Sequence, residues 1–126
     1  MDKKVIATEQ APKAIGPYSQ AVEANGTVYV SGQLPVDPAT GEFAGATIEE
    51  QSRQSLTNIR SILAEAGLGM ENIVKTTVFL QDIADFAKMN AVYAEFFEKD
   101  YPARAAFQVA ALPKAALVEI EAVAVR

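Results

Sequence analysis

Residues 116–125, Ala-Leu-Val-Glu-Ile-Glu-Ala-Val-Ala-Val, limit the possible folds more than any other part of the chain. Read as a β-strand, they place Val118, Ile120, Ala122 and Ala124 on one side. Leu117, Val123 and Val125 fall on the other, because successive side chains alternate. A strand that is apolar on both sides needs cover on both. Glu119 and Glu121 share the second side, about 7 Å apart along the strand. Apolar neighbours make a carboxylate costly unless it is paired, hydrogen-bonded or protonated. One reading puts both glutamates at a solvated rim. The other gives a desolvated carboxyl a raised pKa, suited to exchanging protons with water.

The remaining segments supply one sheet and two helices. Val5–Thr8 predicts a short strand, followed by a loop punctuated by Pro12, Gly16 and Pro17. Asn25-Gly26 between Gln20–Ala24 and Thr27–Ser31 predicts a type I′ hairpin, since both turn residues tolerate positive φ. Asp37-Pro38-Ala39-Thr40-Gly41 is a surface turn. Thr47-Ile48-Glu49-Glu50 is a capping box that opens a helix. Leu56, Ile59, Ile62, Leu63 and Ala66 recur there at helical spacing, and Gly67 is placed to end it. Ile73–Leu80 is a β-branched run suited to an interior strand. A second helix is predicted from near Asp82 to Pro102, with Ile83, Phe86, Met89, Tyr93 and Phe96/Phe97 along a face read as core. Ala105–Ala110 and Ala116–Val125 complete the strands, separated by Leu112-Pro113. A chain of 126 residues suits one domain, 1–126, of α+β class with both helices on one face of a mixed sheet. Two helices cover one face only, so the other predicts a homo-oligomer packed through its sheets. The alternative is a tolerated surface rich in Ala and Val.

Composition excludes several chemistries. The sequence has no cysteine and no histidine, so disulfides, thiolate metal sites and the commonest zinc ligand and general base are missing together. No cofactor or metal is expected. A net charge of −5 with scattered cations argues against nucleic-acid binding. Lys3 and Lys4 precede an apolar run, Val5-Ile6-Ala7, far too short for a signal-peptide core. No run approaches the roughly 20 apolar residues that cross a bilayer. The expectation is a soluble, cytoplasmic protein with no membrane partner.

Few residues remain to carry chemistry. Arg104 is the only cation between Lys99 and Lys114, and an arginine entering an apolar strand invites a carboxylate. Glu119, Glu121 or a ligand could supply it, a structural salt bridge being the commoner outcome. Tyr18 follows Ile15-Gly16-Pro17 in a rigid turn, and Ser31-Gly32 ends a strand where glycine permits close approach to backbone. Asn90 lies in the second helix, where a surface amide is its plain role.

Three segments carry a family resemblance: Ala14-Ile15-Gly16-Pro17-Tyr18-Ser19-Gln20-Ala21, Ser31-Gly32-Gln33-Leu34-Pro35, and Pro102-Ala103-Arg104 through Leu112-Pro113 to Val118-Glu119-Ile120-Glu121-Ala122. With Lys75-Thr76-Thr77-Val78-Phe79-Leu80, they resemble the Rid (YjgF) family over nearly the whole chain. The resemblance implies a fold similar to the Bacillus-type chorismate mutase. Its homotrimer has three sheets forming an inner barrel and ligand clefts between subunits. It also implies a deaminase that hydrolyses 2-imino and 2-enamino acids, such as 2-iminobutanoate and 2-iminopropanoate, to 2-oxo acids and ammonia. Such imines are released by pyridoxal-phosphate enzymes, and the hydrolysis needs no cofactor.

By the same resemblance Arg104 matches the arginine that grips the substrate carboxylate. Glu119 matches the acidic residue that orients or activates water. Tyr18 joins that catalytic set, and Ser31, Gly32 and Asn90 match positions lining the cleft. Ala106 falls where many relatives carry cysteine, which argues against thiol chemistry and leaves only the backbone carbonyl there. Ala111 stands where some relatives carry arginine, and Glu121 has no assigned role. Two alternatives belong to other classes: a non-catalytic binder of 2-oxo acids using Arg104, and an endoribonuclease or translation inhibitor. Acidity and the lack of histidine weigh against the latter. Chorismate mutase chemistry would want several cations where this chain offers mainly Arg104.

Overall fold

Asn25 and Gly26 both take positive φ, 52° and 77°, so the chain reverses there in the hairpin turn that matches strand twist. The computed structural model describes residues 2–126. The hairpin joins β2 (Ala21–Ala24) to β3 (Thr27–Gln33), and β1 (Lys4–Ile6) lies antiparallel against β2. Three further strands follow: β4 (Ile73–Leu80), β5 (Ala103–Gln108) and β6 (Val118–Val125). Among the described residues the sheet order is β1-β2-β3-β6-β4-β5, with β6 antiparallel to both neighbours and β5 parallel to β4.

Two helices, α1 (Ile48–Glu65) and α2 (Phe86–Ala94), pack on one face of this mixed sheet. Thr47 caps α1: its hydroxyl accepts from the Glu50 amide at 3.1 Å, and the Glu50 carboxylate accepts from the Thr47 amide at 3.2 Å. At the other end Gly67, at φ 77°, donates to Ala64 O, and Leu68 donates to Leu63 O, closing the Schellman motif that a left-handed glycine allows. Leu56, Ile59, Ile62 and Leu63 are fully buried in one cluster with Val28, Val78, Val118 and Ile120 from the sheet. Polar residues on the inner side of α1 hold the loops. Asn58 donates to Leu34 O and Val36 O, while Gln51 accepts from the Leu117 amide at 2.8 Å and donates to Gly45 O.

Several element ends differ from the sequence reading, each for a local reason. β1 stops at Ile6 because both backbone groups of Thr8 bond the Gln20 side chain and leave the ladder. β6 starts at Val118, since Pro113–Ala115 form a 3-10 turn and the Leu117 amide is taken by Gln51. β5 begins at Ala103, where Ala103 meets Lys75 of β4. The second helix is shorter than expected. A 3-10 turn, Ile83–Asp85, precedes it, and Ile83 is 49% exposed rather than core. After Ala94 the amides of Glu95, Phe96 and Phe97 bond carbonyls three residues back, so the helix tightens and ends well before Pro102. No described helix is long and apolar enough to cross a membrane.

Gln20 anchors the loop that carries Tyr18. Its side-chain oxygen accepts from the Thr8 amide at 2.7 Å, and its amide nitrogen donates to the carbonyls of Thr8, Ala11 and Pro12. Replacing it would orphan backbone groups inside the protein. Gln20→Ala should therefore lower stability by about 2–3 kcal/mol and expose residues 8–18 to limited proteolysis while the helices keep their circular dichroism. An unchanged cleavage pattern would assign the anchoring elsewhere.

Candidate functional site

The candidate residues fall into two groups. The first sits where the N-terminal loop meets the ends of β3 and β6. Gly16 takes φ 121°, and the Tyr18 amide donates to Gly16 O at 2.9 Å, a tight turn that presents the half-exposed phenol. Tyr18 borders hollows of about 620 and 690 Å³, the first shared with Ser31 and the second with Gly32. Ser31 is held from both ends: its amide donates to Gln20 O and its hydroxyl to Ser19 O.

The Glu119 carboxylate lies beside Gly32. A Cβ on Gly32 would meet the end of the Glu119 side chain, so any larger residue here would displace that carboxylate. Glu119 lies on the open face of the sheet and is partly buried, and among the described residues nothing donates a hydrogen bond to it. Burial first, and then the like charge of Glu121, hold its carboxyl above the ordinary value of 4.5. The direction favours a group that exchanges protons closer to neutrality. Glu121 is exposed on the same face.

The second group is built on β5 and α2. Arg104 Nη1 donates to Asn90 Oδ1 at 2.7 Å, and its Cζ lies 4.8 Å from the Tyr93 ring centroid and 5.3 Å from that of Phe86. No carboxylate pairs with it among the described residues, so the structural salt bridge held open by the sequence does not form. A guanidinium whose partners are all neutral keeps its full charge for an anion from outside the chain. Ala106, two residues along β5, is partly buried against the core beside Val78. Phe86 and Tyr93 escaped the sequence reading as site residues. Their signal was the spacing with Asn90, i, i+4 and i+7, which puts all three on one stripe of α2.

Within the chain the two groups do not meet. Glu119 pairs across β6 and β4 with Phe79, whose β5 partner is Phe107, so Arg104 is two strands away and three residues along. That separation is roughly 14 Å between backbones. The side chains also leave opposite faces: Arg104 turns to the helices, as does its β4 partner Thr76, and Glu119 to the open face. The hollows beside Tyr18 are lined by neither Arg104 nor Glu119.

Comparison with known proteins adds a family. Residues 8–126 match the family model described as Endoribonuclease L-PSP. A Bos taurus 2-iminobutanoate/2-iminopropanoate deaminase is 54% identical over 98% of this chain and 90% of its own length. A protein of the conserved Rid family from Yersinia pestis superposes with a TM-score of 0.97 at 48% identity, covering 99% of this chain and 100% of that one. TdcF of E. coli, solved with bound serine, superposes with a TM-score of 0.94 at 49% identity over 98% of each chain.

Two outcomes follow from the Glu119 contact. Gly32→Ala should swing the flexible Glu119 carboxylate aside, changing stability by less than about 1 kcal/mol while removing most of whatever activity depends on that carboxylate. Retained activity would separate Glu119 from the chemistry. Because its folded pKa is raised, Glu119 favours the folded state fully only below about 4.5, and that contribution is lost as pH rises through the raised value. Glu119→Gln should then be more stable than wild type at pH 7.5, with the difference closing as pH falls towards 4.5, as read by urea midpoints. A constant difference across that window would refute the desolvation argument.

Proposed function

The chain belongs to the endoribonuclease L-PSP (Rid) family, and from that premise we propose that it is a cytoplasmic deaminase hydrolysing 2-imino acids to 2-oxo acids and ammonia. The observation that carries this reading is the Arg104 guanidinium, fixed by neutral partners and free to take a small carboxylate. Deaminases of 2-iminobutanoate and 2-iminopropanoate are among its relatives at 50–54% identity.

The working site needs two copies of the chain. One contributes Arg104 and Asn90, and its neighbour contributes Tyr18, Ser31, Gly32 and Glu119, because a single chain holds these sets on opposite faces of its sheet. Support comes from the open face itself, where Val5 (58% exposed), Tyr29 (50%), Phe107 (45%) and Val125 (37%) lie uncovered. Soluble chains rarely leave so much apolar surface in contact with water. Three such faces closing into an inner barrel would make a homotrimer with its clefts between subunits.

In this mechanism Arg104 grips the substrate carboxylate and fixes the C=N carbon beside a water. Glu119, its carboxyl raised towards neutrality, and a backbone carbonyl orient that water. Water oxygen bonds to the carbon of the protonated imine as Glu119 takes one water proton, giving a neutral carbinolamine. Glu119 then returns that proton to the amine nitrogen, the C–N bond breaks to release ammonia, and the hydroxyl gives its proton to solvent as the C=O bond forms, which replaces the proton that the imine took up. The products are one 2-oxo acid and one ammonia per imine and water. An RNA substrate is disfavoured by the net charge of −5 and by an acidic group, Glu119, at the site.

The test is a coupled assay in which an amino-acid oxidase generates the imino acid and semicarbazide traps it. Wild type should suppress the trapped product. Arg104→Ala should do so about 100-fold less well, the loss of one charge-assisted bidentate contact. Suppression by neither protein, with 2-oxobutyrate still bound, would replace the enzyme by a carboxylate-binding protein.

A further inference from the structure

We infer that Tyr93, together with Phe86, is a positioning residue that pre-sets the Arg104 guanidinium for a monocarboxylate; this rests on the carboxylate-gripping role proposed for Arg104. Arginine on an edge strand has four side-chain torsions to fix when it clamps an anion, and that ordering weakens binding. Here much of it is already fixed. Tyr93 and Phe86 flank the guanidinium at 4.8 and 5.3 Å from their ring centroids, and Asn90 takes one Nη1 hydrogen at 2.7 Å. Rings attract the cation through their faces without neutralising it. The Nε and Nη2 donors have no partner among the described residues, which leaves one edge of the fork for two parallel bonds to a carboxylate.

Tyr93 is itself pinned, and this distinguishes it from a chance neighbour. It is 4% exposed, its hydroxyl shares a 2.7 Å hydrogen bond with Thr76, and its ring packs 4.9 Å from that of Phe97. Thr76 on β4 is the register partner of Arg104 on β5. The contacts therefore close a loop: the sheet fixes Thr76 beside Arg104, Thr76 fixes the ring, and the ring fixes the guanidinium. A residue that only filled the core would need neither the hydroxyl nor the cation over its face.

The experiment compares full-length wild type with Tyr93→Phe, Tyr93→Leu and Phe86→Leu, measuring 2-oxobutyrate affinity by calorimetry and KM and kcat in the imine assay. Tyr93→Leu should weaken 2-oxobutyrate binding and raise KM about tenfold, with kcat within about threefold. Tyr93→Phe, which keeps the ring, should restore most of the affinity. Phe86→Leu, at a partly exposed position, should raise KM about threefold and serves if Tyr93→Leu does not fold. Affinity unchanged in both leucine variants, or a loss confined to kcat, overturns the inference while leaving the deaminase reading intact. If wild type binds 2-oxobutyrate but hydrolyses no imine, that reading fails and the positioning role is still decided by the affinities. If wild type binds no 2-oxo acid, both fall together.

Discussion

The last strand made is the one on which the sheet depends. β6 enters between β3 and β4, antiparallel to each, so that Ile120 has Gln33 on one side and Val78 on the other. Without it, β3 and β4 would be two separate edges, and the fully buried residues of α1 would lose Val118 and Ile120 from the sheet residues that cover them. Its inner side chains, Val118, Ile120, Ala122 and Ala124, are at most 2% exposed. Their burial fixes the register, because a slip by one residue would drive Glu119 and Glu121 into the core. The two glutamates therefore help specify the same pairing that positions one of them beside Gly32. Contacts of this kind are distant in sequence, which makes the sheet cooperative and dependent on the whole chain.

Opposite charges are kept apart by this arrangement. Arg104 and Glu119 would neutralise one another if they met, and each is costly to leave partly desolvated without a counter-charge. Both nevertheless lack an ionic partner among the described residues, while Arg53–Glu95 and Arg126–Glu23 pair readily on the surface. The difference is one of support. The Glu119 carboxylate occupies the space beside Gly32 that a side chain there would contest, and Arg104 lies against two rings and an amide. The neutral cradle around Arg104 holds that charge in place without cancelling it, as a site for a polar ligand requires.

Local backbone chemistry was legible in the sequence wherever a residue type has one geometric use. Asn25-Gly26 gave the hairpin, Thr47 with Glu50 the cap, Gly67 the helix end, and the alternation in Val118–Val125 the buried and open faces. Element ends set by tertiary bonds were not legible. Nothing in Thr8 announces that Gln20, twelve residues on, takes both its backbone groups, and nothing in Ala94 announces the 3-10 tightening that ends α2. The individual site residues could be named, but not their separation. Strand order decides which face and which neighbour a residue has, and the insertion of β6 between β3 and β4 is invisible to periodicity. Asn90 illustrates the limit: its place on the second helix was legible, but not the hydrogen bond that its Oδ1 accepts from Arg104.

Each half of the candidate site is organised by its own element and needs nothing from the other. The Tyr18 turn hangs on Gln20, Ser31 and the Gly32 notch, all close to the β2–β3 hairpin. The Arg104 cradle hangs on α2 and on Thr76 of β4. Halves that are each held by their own hydrogen bonds can be brought together by docking without remodelling either backbone, which limits the ordering free energy that opposes a shared cleft. In the proposed assembly the apolar open face would supply the attraction, and Glu119 would become more desolvated when a neighbouring copy covers it. On the proposed reading, burial of the interface and the upward shift of the Glu119 carboxyl are one event, and association of subunits itself tunes the proton-transfer group.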